Sequence, residues 1–277
     1  MTKTSDPASS APLFGALQSA GGRDGPALSV VVPMFNEAGG AAALIAEIAA
    51  ALDGVAHEII AVDDGSTDGA RAALAAAAVV HPQLRVFAHG VNAGQSRAIR
   101  TGVLAARAPV IATLDGDGQN DPRDIAALYA ALTRAGAPPE LAMVAGERPR
   151  REDGASKRFA SRFANAIRRR LLDDGAMDTG CGLKVFRRDA YLRLPYFDHQ
   201  HRYLPALMRR EGFAVIFEAV SHRPRRHGRS KYTNMGRLAV AFRDMLGVMW
   251  LNARARSPQT ISEVQADAGC DMVKTDR

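Results

Sequence analysis

The sequence predicts an α/β fold, a mostly parallel central sheet flanked by helices. Three observations predict it. Apolar runs of four to eight residues alternate with longer helical patterns through the first half. Polar, glycine-rich and acidic residues follow directly after those runs, where the ligand site of an open parallel sheet lies. The 277 residues are 47% hydrophobic, enough to bury one large core.

The strand candidates, in order, are "LSVVVP" (28–33), "HEIIAVD" (57–63), "LRVFAH" (84–89), "PVIATLD" (109–115) and "LAMVAG" (141–146). Between them, residues 39–53, 67–80, 94–107 and 122–136 are each long enough for a helix of three to four turns. Thr67 and Asp68 can cap the second of these, and Pro122 suits the first turn of the fourth. The segments after the strands read "PMFNE", "VDDGSTDG", "HGVNAGQ" and "LDGDGQNDP". Neither GxGxxG nor GxxxxGK[ST] follows any of the strands, which argues against a dinucleotide fold and a P-loop.

The second half breaks this rhythm. Residues 154–174 place Phe159, Phe163, Ile167 and Leu171 four apart among many lysines and arginines. That pattern is a basic amphipathic helix, either packed on the core or resting on anionic lipid headgroups. A second amphipathic stretch, 235–256, carries Trp250 and flanking arginines and either packs internally or touches the interface. No apolar run approaches the roughly 18 residues of a spanning helix, so a soluble or peripheral protein is expected.

Charge divides along the same line. Residues 1–145 hold 9 basic and 14 acidic side chains, whereas residues 146–260 hold 25 and 11, for a net +7 over the whole chain. An acidic first part suits a metal site; a basic second part suits phosphates, an anionic membrane or nucleic acid. The interleaved aromatics that base stacking requires are missing, so nucleic acid is not an expected partner. Cys181 and Cys270 lie 89 positions apart, which fits neither a metal motif nor a disulfide framework and points to a reducing, cytoplasmic setting. The first 26 residues read as a disordered leader without signal-peptide regions, 27–252 as the catalytic domain and 253–277 as a flexible tail. Within the domain, 27–146 is the acidic half and 147–252 the basic half; a homo-oligomer is left open.

In "LDGDGQNDP", Asp115 and Asp117 flank Gly116, with Gln119 two residues on. In an extended turn alternate side chains point the same way, so two carboxylates and an amide oxygen are aimed at one point. Such ligands suit Mg²⁺ or Mn²⁺ held together with substrate phosphates. In "VDDGSTDG", Asp63 and Asp64 are candidates to accept hydrogen bonds from a base or ribose, and an Asx-type turn is the alternative.

Taken together and in this order, "VVPMFNE", "VDDGSTDG", "NAGQSRAIRTG", "LDGDGQNDP", "DTGCGLKVFRR" and "RRHGRSKY" resemble inverting family 2 glycosyltransferases of the GT-A fold. More narrowly, the chain resembles the dolichyl-phosphate mannosyltransferase and polyprenyl-phosphate glycosyltransferase branch over about residues 28–250. The resemblance implies a nucleotide-sugar donor, a polyprenyl phosphate acceptor and action at the inner face of the cell membrane. It places the nucleoside on Pro33, Phe35, Glu37, Asp63 and Asp64, with Asn92, Gly94 and Gln95 lining the pocket, and a divalent metal on Asp115, Asp117 and Gln119. An anionic acceptor needs positive charge more than a general base. Arg148, Arg225, Arg226, His227, Arg229, Ser230 and Lys231 are the phosphate candidates, with Arg229 and Lys231 preferred to Arg223. Asp178 either positions the sugar, orients an arginine, or pairs with Arg187 or Lys184. The same fold acting on a hydroxyl acceptor, or as an idle partner in a membrane complex, are the alternatives.

Overall fold

The structure is a computed structural model, and it describes residues 25–148, 171–172, 174–178, 180–224 and 234–256. Seven strands form one sheet in the order β3-β2-β1-β4-β6-β5-β7. The first five are β1 (Leu28–Met34), β2 (His57–Asp63), β3 (Leu84–Ala88), β4 (Val110–Thr113) and β5 (Leu141–Glu147), followed by β6 (Lys184–Arg187) and β7 (Ala214–Ala219). β1 lies between β2 and β4, parallel to both, and all seven of its residues are buried.

That burial explains the continuous apolar runs. Crossover helices cover both faces of a parallel sheet, so both sides of each strand need apolar side chains. Val30, Val32 and Met34 face one core with the inner sides of α1 (Ala38–Ala51), α2 (Ala70–Val80) and α4 (Asp124–Thr133). Val31 faces the other core with α3 (Gln95–Ala105), α5 (Arg188–Arg193), α6 (Leu204–Arg210) and α7 (Asn234–Ala253). The period of two along β1 thus assigns helices to faces.

All five expected strands and all four expected helices of the first half are present. β6 and β7 were not foreseen. β6 is only four residues long with a basic residue at each end, and it enters antiparallel between β4 and β5. Two details of the helix starts also differ. Gly69 is the residue at the cap of α2, and Asp68 instead accepts from Ala70 N–H (3.0 Å) with one oxygen and from Ala38 N–H of α1 (3.0 Å) with the other. Pro122 precedes α4, its carbonyl accepting from Ile125 N–H at 3.1 Å.

At the amino end of β2, Glu58 is buried and accepts from Ser29 Oγ (2.7 Å), Arg107 N–H (2.7 Å) and Arg85 Nη1 (2.7 Å). Burial pushes its carboxyl up, but these three donors overcome that and hold it below the ordinary value. Glu58→Ala is therefore expected to cost roughly 3 kcal/mol in urea unfolding, since it strands three donors. A depressed carboxyl contributes fully above its unfolded value and loses that contribution as pH falls toward its folded one. The stability gap between wild type and variant, measured from neutral pH down through the carboxylate range, should accordingly narrow in acid.

Candidate active site

The carboxyl ends of β1, β2 and β4 meet at one edge, and each following loop is fastened to the next. After β1, Asn36 takes a left-handed backbone (φ 56°), its amide oxygen accepting from Thr67 N–H (2.7 Å) while its own N–H donates to Ser66 Oγ (2.9 Å). After β2, Asp64 is buried and accepts from His89 Nδ1 (2.6 Å), Asn92 Nδ2 (2.9 Å), Ala93 N–H (2.9 Å) and Gly94 N–H (2.8 Å). Gly65, at φ +72°, lies so close to this loop that a Cβ there would sit 2.5 Å from Asn92 N.

Asp63 is fully buried and accepts from Ser66 N–H (3.1 Å) and Arg71 Nε (2.9 Å), which outweigh its burial and keep its carboxyl low. Both carboxylates of "VDDGSTDG" thus bind protein donors and build the loop. A local turn bond is made by Asp63, to Ser66 N–H, and by Asp68, to Ala70 N–H, whereas Asp64 is held by the 89–94 loop.

Asp115 and Asp117 follow β4, where the sequence placed them. Gln95, the first residue of α3, donates from Nε2 to Asp115 Oδ1 at 2.7 Å. Gln119 N–H donates to Asp117 Oδ1 at 3.1 Å, and Gln119 O accepts from Arg223 N–H at 2.8 Å. Behind Asp115 runs the 180–184 segment. A Cβ on Gly182 would stand 2.2 Å from the Asp115 carboxyl carbon, so the carboxylate rests on bare backbone. Lys184, 4% exposed, donates from Nζ to Cys181 O. Its charge acts on Asp115.

Burial is the main cause that pushes Asp115 up to about 6, with Asp117 adding to it; Lys184, Arg148 and the Gln95 bond oppose the rise and fall short. The charged form of Asp115 is therefore disfavoured in the protein alone. Among the described residues no three of His, Cys, Asp and Glu converge on one point. The donor set is two carboxylates with a carboxamide on the same turn, which fits a hard cation whose remaining ligands are phosphate and water. A cavity of about 60 Å³ opens beside it, lined by Glu37, Asp117 and Arg223 together with residues of α1.

Other expected positions fall differently. Pro33 is buried in β1, with Phe35 and Glu37 just beyond it. The Asp178 carboxylate takes both nitrogens of the Arg148 fork, Nε at 2.5 Å and Nη2 at 2.8 Å, and its charge also acts on Lys184. Arg148, expected on a phosphate, is thus engaged by a carboxylate, and Asp178 orients an arginine. Arg223, the less favoured arginine, bridges Asp121 (2.7 Å) and Glu47 (2.5 Å) from strand-end loop to α1. Arg225, Arg226, His227, Arg229, Ser230 and Lys231 lie outside the described residues, as does most of the basic helix expected over 154–174.

The places of Lys184 and Gly182 beside Asp115 were not anticipated; Lys184 was expected only as a partner of Asp178. The available signal was a lysine inside the apolar run "CGLKVF".

A mostly parallel sheet thus carries an acidic turn after β4, beside the loops that follow β1, β2 and β3. The chain belongs to glycosyl transferase family 2, whose profile matches residues 29–194. It is 35% identical over 237 residues to dodecaprenyl-phosphate galacturonate synthase of Rhizobium johnstonii, covering 80% of this chain and 66% of that protein. To undecaprenyl-phosphate 4-deoxy-4-formamido-L-arabinose transferase of Edwardsiella ictaluri it is 33% identical over 209 residues, covering 74% and 62%. The chain thus spans just under two thirds of the length of these relatives. Glucosyl-3-phosphoglycerate synthase of Mycobacterium tuberculosis, solved with Mn²⁺, uridine diphosphate and glucosyl-3-phosphoglycerate, shares the fold at TM-score 0.63 and 18% identity, over 84% of this chain and 82% of that one.

The Arg148–Asp178 pair is nearly buried, so removing either partner leaves an uncompensated charge. Asp178→Ala and Arg148→Ala should each destabilise by about 3 kcal/mol in denaturant unfolding. The double variant should lose clearly less than the sum of the two, a coupling that Asp178→Ala combined with Arg187→Ala will not display.

Proposed function

We propose that the protein is an inverting glycosyltransferase that moves a sugar from a UDP- or GDP-sugar to a polyprenyl phosphate such as undecaprenyl phosphate. The observation that carries this reading is the pair Asp115 and Asp117 at the junction of three strand-end loops, with Asp115 bonded to Gln95 and packed on the Gly182 backbone. The named activities of the curated relatives, both transfers to polyprenyl phosphates, supply the acceptor class.

In this reading Pro33, Phe35, Glu37, Asn92, Gly94 and Gln95 line the nucleoside pocket, and Asp63 and Asp64 fix its walls through the bonds described above. Asp115, Asp117 and Gln119 would hold Mg²⁺ or Mn²⁺, which neutralises charge on the departing diphosphate. Gln95 and the Gly182 backbone keep the Asp115 carboxylate oriented toward the donor. The acceptor phosphate is anionic at neutral pH, so an oxygen of it attacks the anomeric carbon without a general base. The bond from that carbon to the diphosphate oxygen breaks, its electrons leave with the nucleoside diphosphate, and the anomeric configuration inverts. Arg225, Arg226, His227, Arg229, Ser230 and Lys231 are assigned to the acceptor phosphate, with Arg148 a fixed positive charge at the edge of the turn.

No described helix is long and apolar enough to cross a membrane, which suits peripheral work at the inner membrane face.

Sugar transfer from a panel of UDP- and GDP-sugars to undecaprenyl phosphate tests the proposal. One donor should give a glycosyl phosphate lipid of inverted configuration; a panel without any product sinks it. Asp117→Ala should lower the rate about a hundredfold or more at unchanged thermal stability, and EDTA should stop transfer until Mn²⁺ or Mg²⁺ is restored.

A further inference from the structure

α7 (Asn234–Ala253) has two faces of opposite character. Its inner face belongs to the core: Val248 is fully buried, and Met245, Met249 and Leu251 pack against the same cluster. Hydrogen bonds from Tyr203 Oη to Ala241 O (3.0 Å) and from Arg210 Nε to Leu251 O (3.2 Å) hold it there. Its outer face is apolar as well. Phe242 is 58% exposed, Leu246 47% and Trp250 61%, and their spacing of four residues sets them in one stripe. Such a contiguous apolar stripe is costly in water and marks a surface that meets something else.

The charges around the stripe indicate what it meets. Arg243, Arg254 and Arg256 are exposed, and the Arg254 guanidinium lies 6.0 Å from the Trp250 ring centroid. The one acidic residue from 234 to 256, Asp244, is turned inward to His199 Nδ1 at 3.0 Å. The exposed face thus combines large apolar side chains, an indole and arginines with no carboxylate, and the helix is not apolar enough to span. That composition matches a helix lying in the plane of an anionic bilayer, with rings below the headgroups and arginines among lipid phosphates.

The same helix is linked to the site. His199 follows Asp198, whose Oδ1 would be 3.3 Å from a Cβ on Gly94, and Gly94 caps α3, whose Gln95 holds Asp115. We propose that the Phe242–Leu246–Trp250 stripe with Arg243, Arg254 and Arg256 is the docking surface by which the protein lies on an anionic lipid bilayer, beside its active site. The benefit of such docking for a lipid acceptor rests on the proposed function; the binding does not.

Trp250 is the sole tryptophan, so its fluorescence reports the surface directly. With vesicles of phosphatidylglycerol and phosphatidylcholine free of polyprenyl phosphate, the emission should shift to the blue and the protein should cosediment. Pure phosphatidylcholine and raised salt should both weaken binding. Phe242→Ser with Leu246→Ser keeps the reporter and should lower partitioning about tenfold or more. Arg254→Glu with Arg256→Glu should abolish the preference for anionic vesicles. Circular dichroism should be unchanged in both variants, since all four side chains are exposed. Equal binding by the serine variant overturns the proposal. So does a wild type that ignores vesicles and is dimeric in solution where the serine variant is monomeric, because the stripe then covers a second copy. Transfer to a short-chain, water-soluble prenyl phosphate is read in parallel: its absence in wild type counts against the proposed function and leaves the vesicle result standing.

Discussion

Carboxylates crowd the active edge of this sheet, and the fold depends on how each is neutralised. Asp64 is met by four donors from the 89–94 loop, Asp63 by Ser66 and Arg71, and Asp121 by Arg123 and Arg223. Asp121 is held far below the ordinary carboxylate range, chiefly by the Arg123 bond with Arg223 adding to it. These acids lock loops. Asp115 differs: packed on the Gly182 backbone and facing Asp117, it is pushed up to about 6, with burial the main cause. The edge is rigid because most of its carboxylates bind donors of neighbouring loops, and Asp115 and Asp117 differ in facing one another.

Much of this was legible in the sequence. Buried parallel strands must be apolar on both faces, so β1 to β5 stood out as short uninterrupted runs, and the polar residues after them marked the active edge. The DxD turn was legible for the same reason, as charge concentrated where a strand stops. β6 was not, because a four-residue strand bounded by Lys184 and Arg187 has too few apolar positions to show a period. Ion-pair partners were also hidden. Arg148 and Asp178 are 30 residues apart, and Arg223 and Glu47 are 176 apart, so only the fold chooses among the arginines.

The pairing changes how the basic half should be understood. A run of arginines suggested a single phosphate-binding surface, yet the two described arginines nearest the turn both serve internal acids. Arg223 joins the loop after β4 to α1, and Arg148 joins the end of β5 to the segment that wraps Asp115. Positive charge here first fastens the acidic edge. The exposed arginines on the outer face of α7 and just after it, Arg243, Arg254 and Arg256, are placed instead to meet a partner outside the chain.

Lys184 is the clearest instance of that internal use. A fully enclosed ammonium is disfavoured, and burial lowers its proton affinity. It persists next to Cys181 O and within the fields of Asp115 and Asp178. A single charge in that place can steady Asp115 without cancelling the pair, because Asp117 stands beyond it and Arg148 is largely compensated by Asp178 at 2.5 Å. A divalent ion held there, as proposed, would turn the local charge positive, which is the polarity a diphosphate leaving group requires. The buried lysine therefore sets how much charge the turn has left to offer, and its position on β6, held by pairing with both β4 and β5, makes that amount a property of the sheet.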